Sequence, residues 1–290
     1  MNNHYTFRII CLVCILLSGS SARSEIAKFD RLTIEDGLSQ NTVFCILQDS
    51  RGFMWFGTQD GLNKYDGYEF TAYRNNPNDL NSLSHNVVFS LVEDQNGNLW
   101  IGTYGGGMNK FDPQTNYFTT FTHDPKNSNT LCDDKIWSIS CDNQGLLWIG
   151  TEKGLDRFSP SDYSFLHYKL DPDDSNTISS EYIFETIEAN DGSIWIVTRG
   201  GGLDRLNPED NTVEHFINIP GNSNSLCDNR VRTVLQDHDG NIWIGTWGGG
   251  ITVFDPVSRN FVHYKSDSGD PAGLTSNIIS SFYQDRTGIV

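Results

Sequence analysis

The sequence predicts an all-β fold made of repeated four-stranded units, and three observations support this prediction. Glycine (27 of 290 residues) and aromatic residues (12%) are abundant, which is typical of strands joined by tight turns. A phrase of the form apolar-Trp-apolar-Gly-Thr, with one variation, recurs five times along the chain. A glycine also stands three residues before each of these tryptophans, where a turn before a strand can use its backbone freedom.

The repeat has a period of about 48 residues, because successive tryptophans are 45, 48, 47 and 48 residues apart. These tryptophans stand in apolar segments, and we interpret them as core residues: Trp55, Trp100, Trp148, Trp195 and Trp243. Gly288 begins the same phrase again, which places the next tryptophan one residue beyond Val290. We therefore expect five full units and the start of a sixth, in a sequence that is cut within a repeat.

Each unit divides into four short strands. An apolar run, such as residues 42–47 or 231–235, is followed by a polar turn with Asp and Gly and then by the tryptophan strand. A Gly-rich hairpin, a third strand that ends near Asp-Pro and a fourth strand with aromatic residues complete the unit. Four strands in such a repeat are typical of a β-propeller blade. We predict that residues 23–290 form an incomplete β-propeller of antiparallel four-stranded blades; a β-helix has rungs of about half this length.

The first 22 residues are predicted to be a signal peptide. Arg8 precedes nine apolar residues (9–17), and Ser20 and Ala22 suit cleavage before Arg23. Nine apolar residues are too few for a membrane-spanning helix, which needs about 20. The alternative is a buried N-terminal strand or helix, but export is the better interpretation.

The charge of the chain narrows the classes of partner. Its formal net charge is −17 at pH 7. Nucleic acids and anionic membrane surfaces are bound mainly through Lys and Arg, so neither is an expected partner.

Several phrases strongly resemble the two-component regulator propeller family. They are Phe29-Asp30-Arg31-Leu32-Thr33, Glu35-Asp36-Gly37-Leu38-Ser39, Asp49-x-x-Gly-x-x-Trp-x-Gly-Thr58 and Asp60-Gly61-Leu62-x-x-Tyr65-Asp66-Gly67. The resemblance implies the periplasmic sensor region of a bacterial inner-membrane receptor, usually with two seven-bladed propellers, an immunoglobulin-like connector and one membrane span. It also implies a cytoplasmic output, most often a histidine kinase and in some relatives a diguanylate cyclase, and a homodimeric full-length protein. The sequence itself shows no span and no output domain, so we expect no catalytic residue and no cofactor in this chain.

One position in each hairpin varies, although the residues just before it recur from unit to unit. The residue after the recurrent Thr differs in every unit, and we predict that these residues face a ligand: Gln59, Tyr104, Glu152, Arg199 and Trp247. The loops before the first strands add further candidates: His85, Asp133, Asp134, Glu181 and Arg230. Aromatic side chains could stack on sugars, and charged ones could bind hydroxyls or an acidic group. The alternative is that hairpin residues vary because nothing constrains them.

Other polar residues are interpreted as structural. Asp171, Asp173 and Asp174 resemble a calcium loop, but the matching loops of other units favour turn chemistry. His167, His215 and His263 occupy the same place in three units, too far apart to share one metal ion. Trp137 lies on a first strand, where we expect it to pack between blades.

No structural disulfide is predicted. Cys132 and Cys227 occupy the same repeat position two blades apart, which exceeds the Cα spacing of about 4.4–6.8 Å that a disulfide needs. Cys45 and Cys141 lie on other first strands. Four free thiols in an exported protein are unexplained by the sequence.

Three functions remain open, and the favoured one is a non-catalytic sensor that binds a glycan or oligosaccharide. The alternatives are a protein-interaction propeller and a secreted polysaccharide-active enzyme. An enzyme would need a convergent acid/base pair, and the acidic candidates (Glu152, Asp133 and Asp134) all lie in one blade.

Overall fold

Twenty strands pair into five antiparallel sheets, each built from four strands that are consecutive in sequence. The computed structural model describes residues 31–267, 269 and 273–290. The predicted signal peptide and its cleavage site lie outside these residues. Within the unit Leu32–Val290, the all-β prediction of four-stranded blades is confirmed.

The strand bounds repeat closely from sheet to sheet. The first sheet contains β1 (Val43–Gln48), β2 (Met54–Thr58), β3 (Gly61–Tyr65) and β4 (Phe70–Tyr73). The second contains β5 (Val88–Glu93), β6 (Leu99–Thr103), β7 (Met108–Asp112) and β8 (Tyr117–Phe121). The third contains β9 (Ile136–Cys141), β10 (Leu147–Thr151), β11 (Leu155–Ser159) and β12 (Ser164–Tyr168). The fourth contains β13 (Ile183–Glu188), β14 (Ile194–Thr198), β15 (Gly202–Asn207) and β16 (Thr212–Phe216). The fifth contains β17 (Val231–Gln236), β18 (Ile242–Thr246), β19 (Ile251–Asp255) and β20 (Asn260–Tyr264).

A short 3₁₀ helix, η1 (Ile34–Asp36), precedes the first sheet. Thr33 caps it, since its side chain accepts a hydrogen bond from the Glu35 backbone N–H. Among the described residues, no helix has the length and apolar character needed to cross a membrane.

The sheets are arranged around an axis on which their first strands lie. Each first strand packs against the first strand of the next sheet, in the order β1, β5, β9, β13 and β17. The tryptophan strands lie second from the axis and are buried between sheets. Trp55, Trp100, Trp148 and Trp195 are at most 1% exposed, whereas Trp243 is partly exposed.

The turn between the first two strands explains the Asp-x-x-Gly-x-x-Trp phrase. In the second sheet, Asp94 Oδ1 accepts hydrogen bonds from the backbone N–H groups of Asn96 and Asn98, both at 2.9 Å. Its other oxygen accepts the indole N–H of Trp100 at 2.9 Å. Gly97 takes a φ of 80°, which favours glycine. One carboxylate therefore closes the turn and also satisfies a buried indole.

The glycine of the Trp-x-Gly-Thr phrase makes room for the next sheet. A Cβ at Gly102 would lie 2.6 Å from Ile136 Cγ2, and one at Gly150 would lie 2.8 Å from Ile183 Cγ2. The fourth sheet instead has Val197, and the following first strand begins with the smaller Val231. In the first sheet a Cβ at Gly57 would lie 2.7 Å from Val88 Cγ1, so glycine is also required beside a valine there.

Candidate functional site

The hairpins after the tryptophan strands all lie at one end of the sheets. The hairpins of the first, second, third and fifth sheets donate backbone hydrogen bonds to the loop that follows their own sheet. The Gly105 and Gly107 N–H groups donate to the Asp134 carbonyl at 3.0 and 2.9 Å, and Gly154 N–H donates to the Glu181 carbonyl at 2.7 Å. These contacts bring the varied hairpin residues and the predicted loop residues to the same end, which we call the mouth.

A row of aromatic rings runs along the first strands, close to the axis. The Phe44 and Phe89 ring centroids are 4.6 Å apart. Phe89 stacks on Trp137 at 4.7 Å with an interplanar angle of 11°, and Trp137 meets Phe184 edge-on at 5.7 Å. We call these four residues the axial aromatic row. Trp137 thus packs between sheets, as the sequence suggests, and also forms part of a continuous apolar surface.

Two tyrosines extend this surface to the mouth. The Tyr104 and Tyr182 ring centroids lie 5.6 and 5.4 Å from the Trp137 ring. The Trp137 indole nitrogen is buried and has no hydrogen-bond partner among the described residues. Buried donors are rarely left unpaired, so this nitrogen is an exception among the buried polar groups of the described residues.

Glu152 organises the polar side of the mouth. Its carboxylate forms an ion pair with Lys135 Nζ at 2.8 Å and accepts a hydrogen bond from the Tyr104 hydroxyl at 3.4 Å. The Glu152 hydrogen bond raises the pKa of Lys135 above its usual value. Burial, with the Glu152 carboxylate nearby, raises the pKa of Tyr182 to about 12. Lys135 and Tyr182 therefore keep their protons at neutral pH.

The fourth and fifth sheets present arginines beside aromatic rings. Arg199 lies 4.9 Å from the Tyr182 ring centroid. Arg232, on β17, lies 5.0 Å from the Phe184 ring and 5.6 Å from the Trp247 ring. Trp247 is 48% exposed, so one end of the mouth carries an open aromatic face.

The remaining predicted residues are placed less centrally. Arg230 pairs with Asp228 at 2.6 Å, and Asp133 pairs with Lys153 at 3.0 Å. His85 Nδ1 accepts the Val87 backbone N–H at 3.1 Å. Three further candidates complete the predicted set: Asp134 holds the loop through backbone groups, and Gln59 and Glu181 are exposed.

The structure adds five residues to the mouth that sequence reasoning did not assign to a site. They are Phe89, Lys135, Tyr182, Phe184 and Arg232. The sequence contained a signal for these residues, namely the alternation of side chains along each first strand. One face of each strand contacts the next sheet, and the other face points toward the axis. The aromatic residues at these positions were interpreted as packing alone.

A buried Cys132–Asp156–His167 cluster has the residue types of a metal site. The three ligand atoms lie within 4.8 Å of one another. His167 is nevertheless saturated by hydrogen bonds, to Asp156 Oδ1 at 2.6 Å and to the Ser128 carbonyl at 2.7 Å. The fourth sheet repeats this geometry with Ser179, Asp204 and His215, at 2.7 Å from Nδ1 to the carboxylate. The arrangement therefore does not require a cysteine. In both sheets it joins two strands to the loop that precedes the sheet.

Burial disfavours the thiolate form of three of the four described cysteines. Burial raises the pKa of Cys45 to about 12 and that of Cys141 to about 11, and it also raises the pKa of Cys132. A thiol that stays protonated is a poor nucleophile and oxidises slowly, so these three side chains are weakly reactive.

The acidic loop of residues 171–174 caps a turn. Asp171 Oδ1 accepts the Asp173 N–H at 3.0 Å, and the Asp171 carbonyl accepts the Asp174 N–H at 3.1 Å. These bonds account for the aspartates as turn residues.

A cleft of about 590 Å³ lies at the opposite end of the third and fourth sheets. Its charges largely satisfy one another, since Arg205 pairs with Asp191 at 2.6 Å. The cleft contains none of the varied hairpin residues. We favour the mouth because it combines open aromatic faces with polar groups.

The fold and the site together define a propeller of repeated four-stranded sheets. The strand pattern recurs in every sheet, whereas the residues at the aromatic mouth differ from sheet to sheet. The model of the family described as "Two component regulator propeller" matches residues 37–60, 82–105, 130–153 and 225–248. These stretches correspond to the first, second, third and fifth sheets. Four of the five repeats of this chain are therefore two component regulator propeller repeats.

Known proteins extend this assignment. Over 83 residues the chain is 43% identical to a protein named Histidine kinase P4 from Formosa agariphila, covering 29% of this chain and 6% of that protein. The extracellular domain of a protein assigned to the hybrid two component systems of B. thetaiotaomicron is 31% identical, with a TM-score of 0.72; the match covers 82% of this chain and 32% of that one. Virginiamycin B lyase from Staphylococcus aureus, 17% identical with a TM-score of 0.57 over 77% of this chain and 69% of that one, shares the fold alone. The chain thus spans about a third of the solved two-component relative.

Proposed function

We propose that this chain is the ligand-sensing region of an exported, periplasmic receptor that binds a glycan at the mouth and passes the signal to a histidine kinase region. The observation that carries the proposal is the mouth itself: open aromatic faces lie beside a hydrogen-bonded carboxylate and several cations. Sugars are bound by such combinations, because their C–H faces stack on aromatic rings while their hydroxyls need polar partners.

The relay to a kinase is supported by the similarity of the chain to a histidine kinase and to the extracellular domain of a hybrid two-component system. In such a receptor, a ligand changes the output only through its different affinities for the two signalling states. We expect that receptor to act as a homodimer, so that occupancy of the propeller alters the arrangement of two kinase regions.

Binding to a glycan panel tests the ligand class. Trp247→Ala and Tyr104→Ala should each weaken binding of the best glycan at least tenfold, because each removes an aromatic face at the mouth. Tyr68→Ala is the matched control, since Tyr68 is 94% exposed and lies in the turn between β3 and β4. Equal affinities for all three variants would contradict the proposed site.

Autophosphorylation of a receptor-length protein tests the relay. The glycan that binds the propeller should change the phosphorylation rate, and Trp247→Ala should abolish this response without changing the rate in the absence of glycan. A receptor that binds glycan but shows no kinase response would contradict the signalling part of the proposal.

A further inference from the structure

Five cationic side chains lie in the hairpins of the mouth, on the first strands or at the residue directly before a first strand. Three are paired with carboxylates: Lys135 with Glu152, Lys153 with Asp133, and Arg230 with Asp228, at 2.8, 3.0 and 2.6 Å. Arg199 and Arg232 differ, because no carboxylate oxygen among the described residues lies within 4.0 Å of their nitrogens. Both arginines therefore carry their charge without contact to a carboxylate of the described residues.

Both arginines lie on aromatic rings instead. Arg199 contacts the Tyr182 ring, and Arg232 lies between the Phe184 and Trp247 rings. The Tyr182 and Phe184 ring centroids are 5.0 Å apart, so the two arginines flank one continuous aromatic surface on neighbouring sheets. A guanidinium stacked on a ring keeps its charge, and its N–H edge stays available to a ligand.

The nearest buried acid does not neutralise Arg232. Glu185, on β13, directs Oε2 to the Val234 backbone N–H at 3.0 Å. Burial raises the pKa of Glu185 to about 7, so a large fraction of this side chain is uncharged at neutral pH. The groups in contact with the Arg232 guanidinium are therefore the Phe184 and Trp247 rings rather than a carboxylate.

We propose that Arg199 and Arg232 bind the anionic substituents of an acidic oligosaccharide, while a sugar ring of the same ligand stacks on Trp247. This inference rests on the proposed glycan-sensing function and specifies its ligand class. A carboxylate fits the planar fork of a guanidinium with two hydrogen bonds, and a sulfate ester offers the same oxygens. Neutral sugars would leave both charges unpaired.

Isothermal titration calorimetry on the full chain tests the proposal. The panel contains uronic acid trisaccharides and sulfated galacto-oligosaccharides, each beside the same sugar as its methyl ester or without sulfate. We expect at least one anionic sugar to bind at least tenfold more tightly than its neutral counterpart, and more weakly as salt is raised. A preference for the carboxylate or the sulfate series distinguishes the two sources of charge.

Substitutions of the two arginines then test whether their side chains bind the anionic sugar. Arg199→Gln and Arg232→Gln should each weaken binding of the anionic sugar at least tenfold and leave thermal unfolding within a few degrees of the parent. Arg286→Gln, an exposed arginine in the turn that begins at Asp285, removes the same charge far from the mouth and should change affinity less than twofold.

Four results would overturn the inference. Equal binding of charged and neutral sugars would do so, as would wild-type affinity in both mouth variants. Binding of neutral glycans alone would reject the anionic subsite and preserve the glycan sensor, whereas no binding of any glycan would reject both.

Discussion

At the turn end, four of the five sheets make the same bond between an aspartate and a tryptophan, whereas at the mouth each sheet presents a different side chain. Asp94 and Asp142 accept the indole N–H of their own tryptophans at 2.9 and 3.0 Å. The hairpins at the other end carry Tyr104 and Glu152 at one equivalent position. Recurrence with identical partners marks residues that fold the repeat, and variation within an identical backbone marks residues that are free to serve a ligand.

The fourth sheet shows how far the turn end can change. Ala189 replaces the aspartate there, yet its backbone N–H still donates to the Ser193 carbonyl at 2.8 Å. Asp191 takes over the acidic role by bonding to Ser193 N–H at 3.0 Å and to Arg205 at 2.6 Å. The turn of the fourth sheet therefore still contains a carboxylate, but this carboxylate comes from a different position in the turn.

Asp94→Ala should have the largest effect on stability, because it leaves two backbone N–H groups and a buried indole N–H without their acceptor. We expect a loss of about 2–4 kcal/mol in the free energy of unfolding, measured by urea denaturation. Asn96→Ala, an exposed change in the same turn, should cost less than about 0.5 kcal/mol. Similar losses for both variants would mean that the aspartate is not the main support of the turn.

Gly102→Ala should cost about 1–3 kcal/mol, because the added methyl group overlaps Ile136 of the next sheet. Ile136→Val in the same chain should restore part of that loss, as Val197 is accommodated beside Val231 in the fourth sheet. Thermal unfolding of the single and double variants measures this coupling. Strictly additive losses would show that the two residues do not compete for space.

His215 should make stability depend on pH. Its hydrogen bond to the Asp204 carboxylate raises its pKa from 6.5 to about 9. The folded state therefore binds the proton more tightly than the unfolded state, so this contribution is complete below about pH 6.5 and is lost as pH rises through about 9. His215→Gln should give a shallower fall in melting temperature between these values; an unchanged slope would exclude the contribution.

Substitutions at the mouth should affect stability least. Trp247→Ala should lower the free energy of unfolding by less than about 1 kcal/mol, because an exposed ring loses little buried area. The same variant should lose glycan binding, as measured by calorimetry. A large loss of stability would place Trp247 with the structural residues and weaken the contrast between the two ends.

The sequence predicted most of the frame and part of the site. Trp spacing and the Asp-Gly turns predicted four-stranded antiparallel units, because period and turn chemistry are local properties. The variation after each Thr pointed to Tyr104, Glu152, Arg199 and Trp247, which all lie at the mouth. Their roles as ligand contacts remain predictions.

The sequence by itself therefore determined the repeat. Its pattern showed which residues form turns, which alternate along the strands and which are large enough to fill the space between sheets. Only the tertiary structure decided which side chains meet, because ion pairs and ring contacts join residues that are far apart in sequence. Lys135, directly before β9, reaches Glu152 in the hairpin after β10, and Phe89 stacks on Trp137 of the following sheet. Within the part of the chain that the structure describes, Arg199 and Arg232 have no carboxylate in contact for the same reason, because folding decides which side chains surround each arginine.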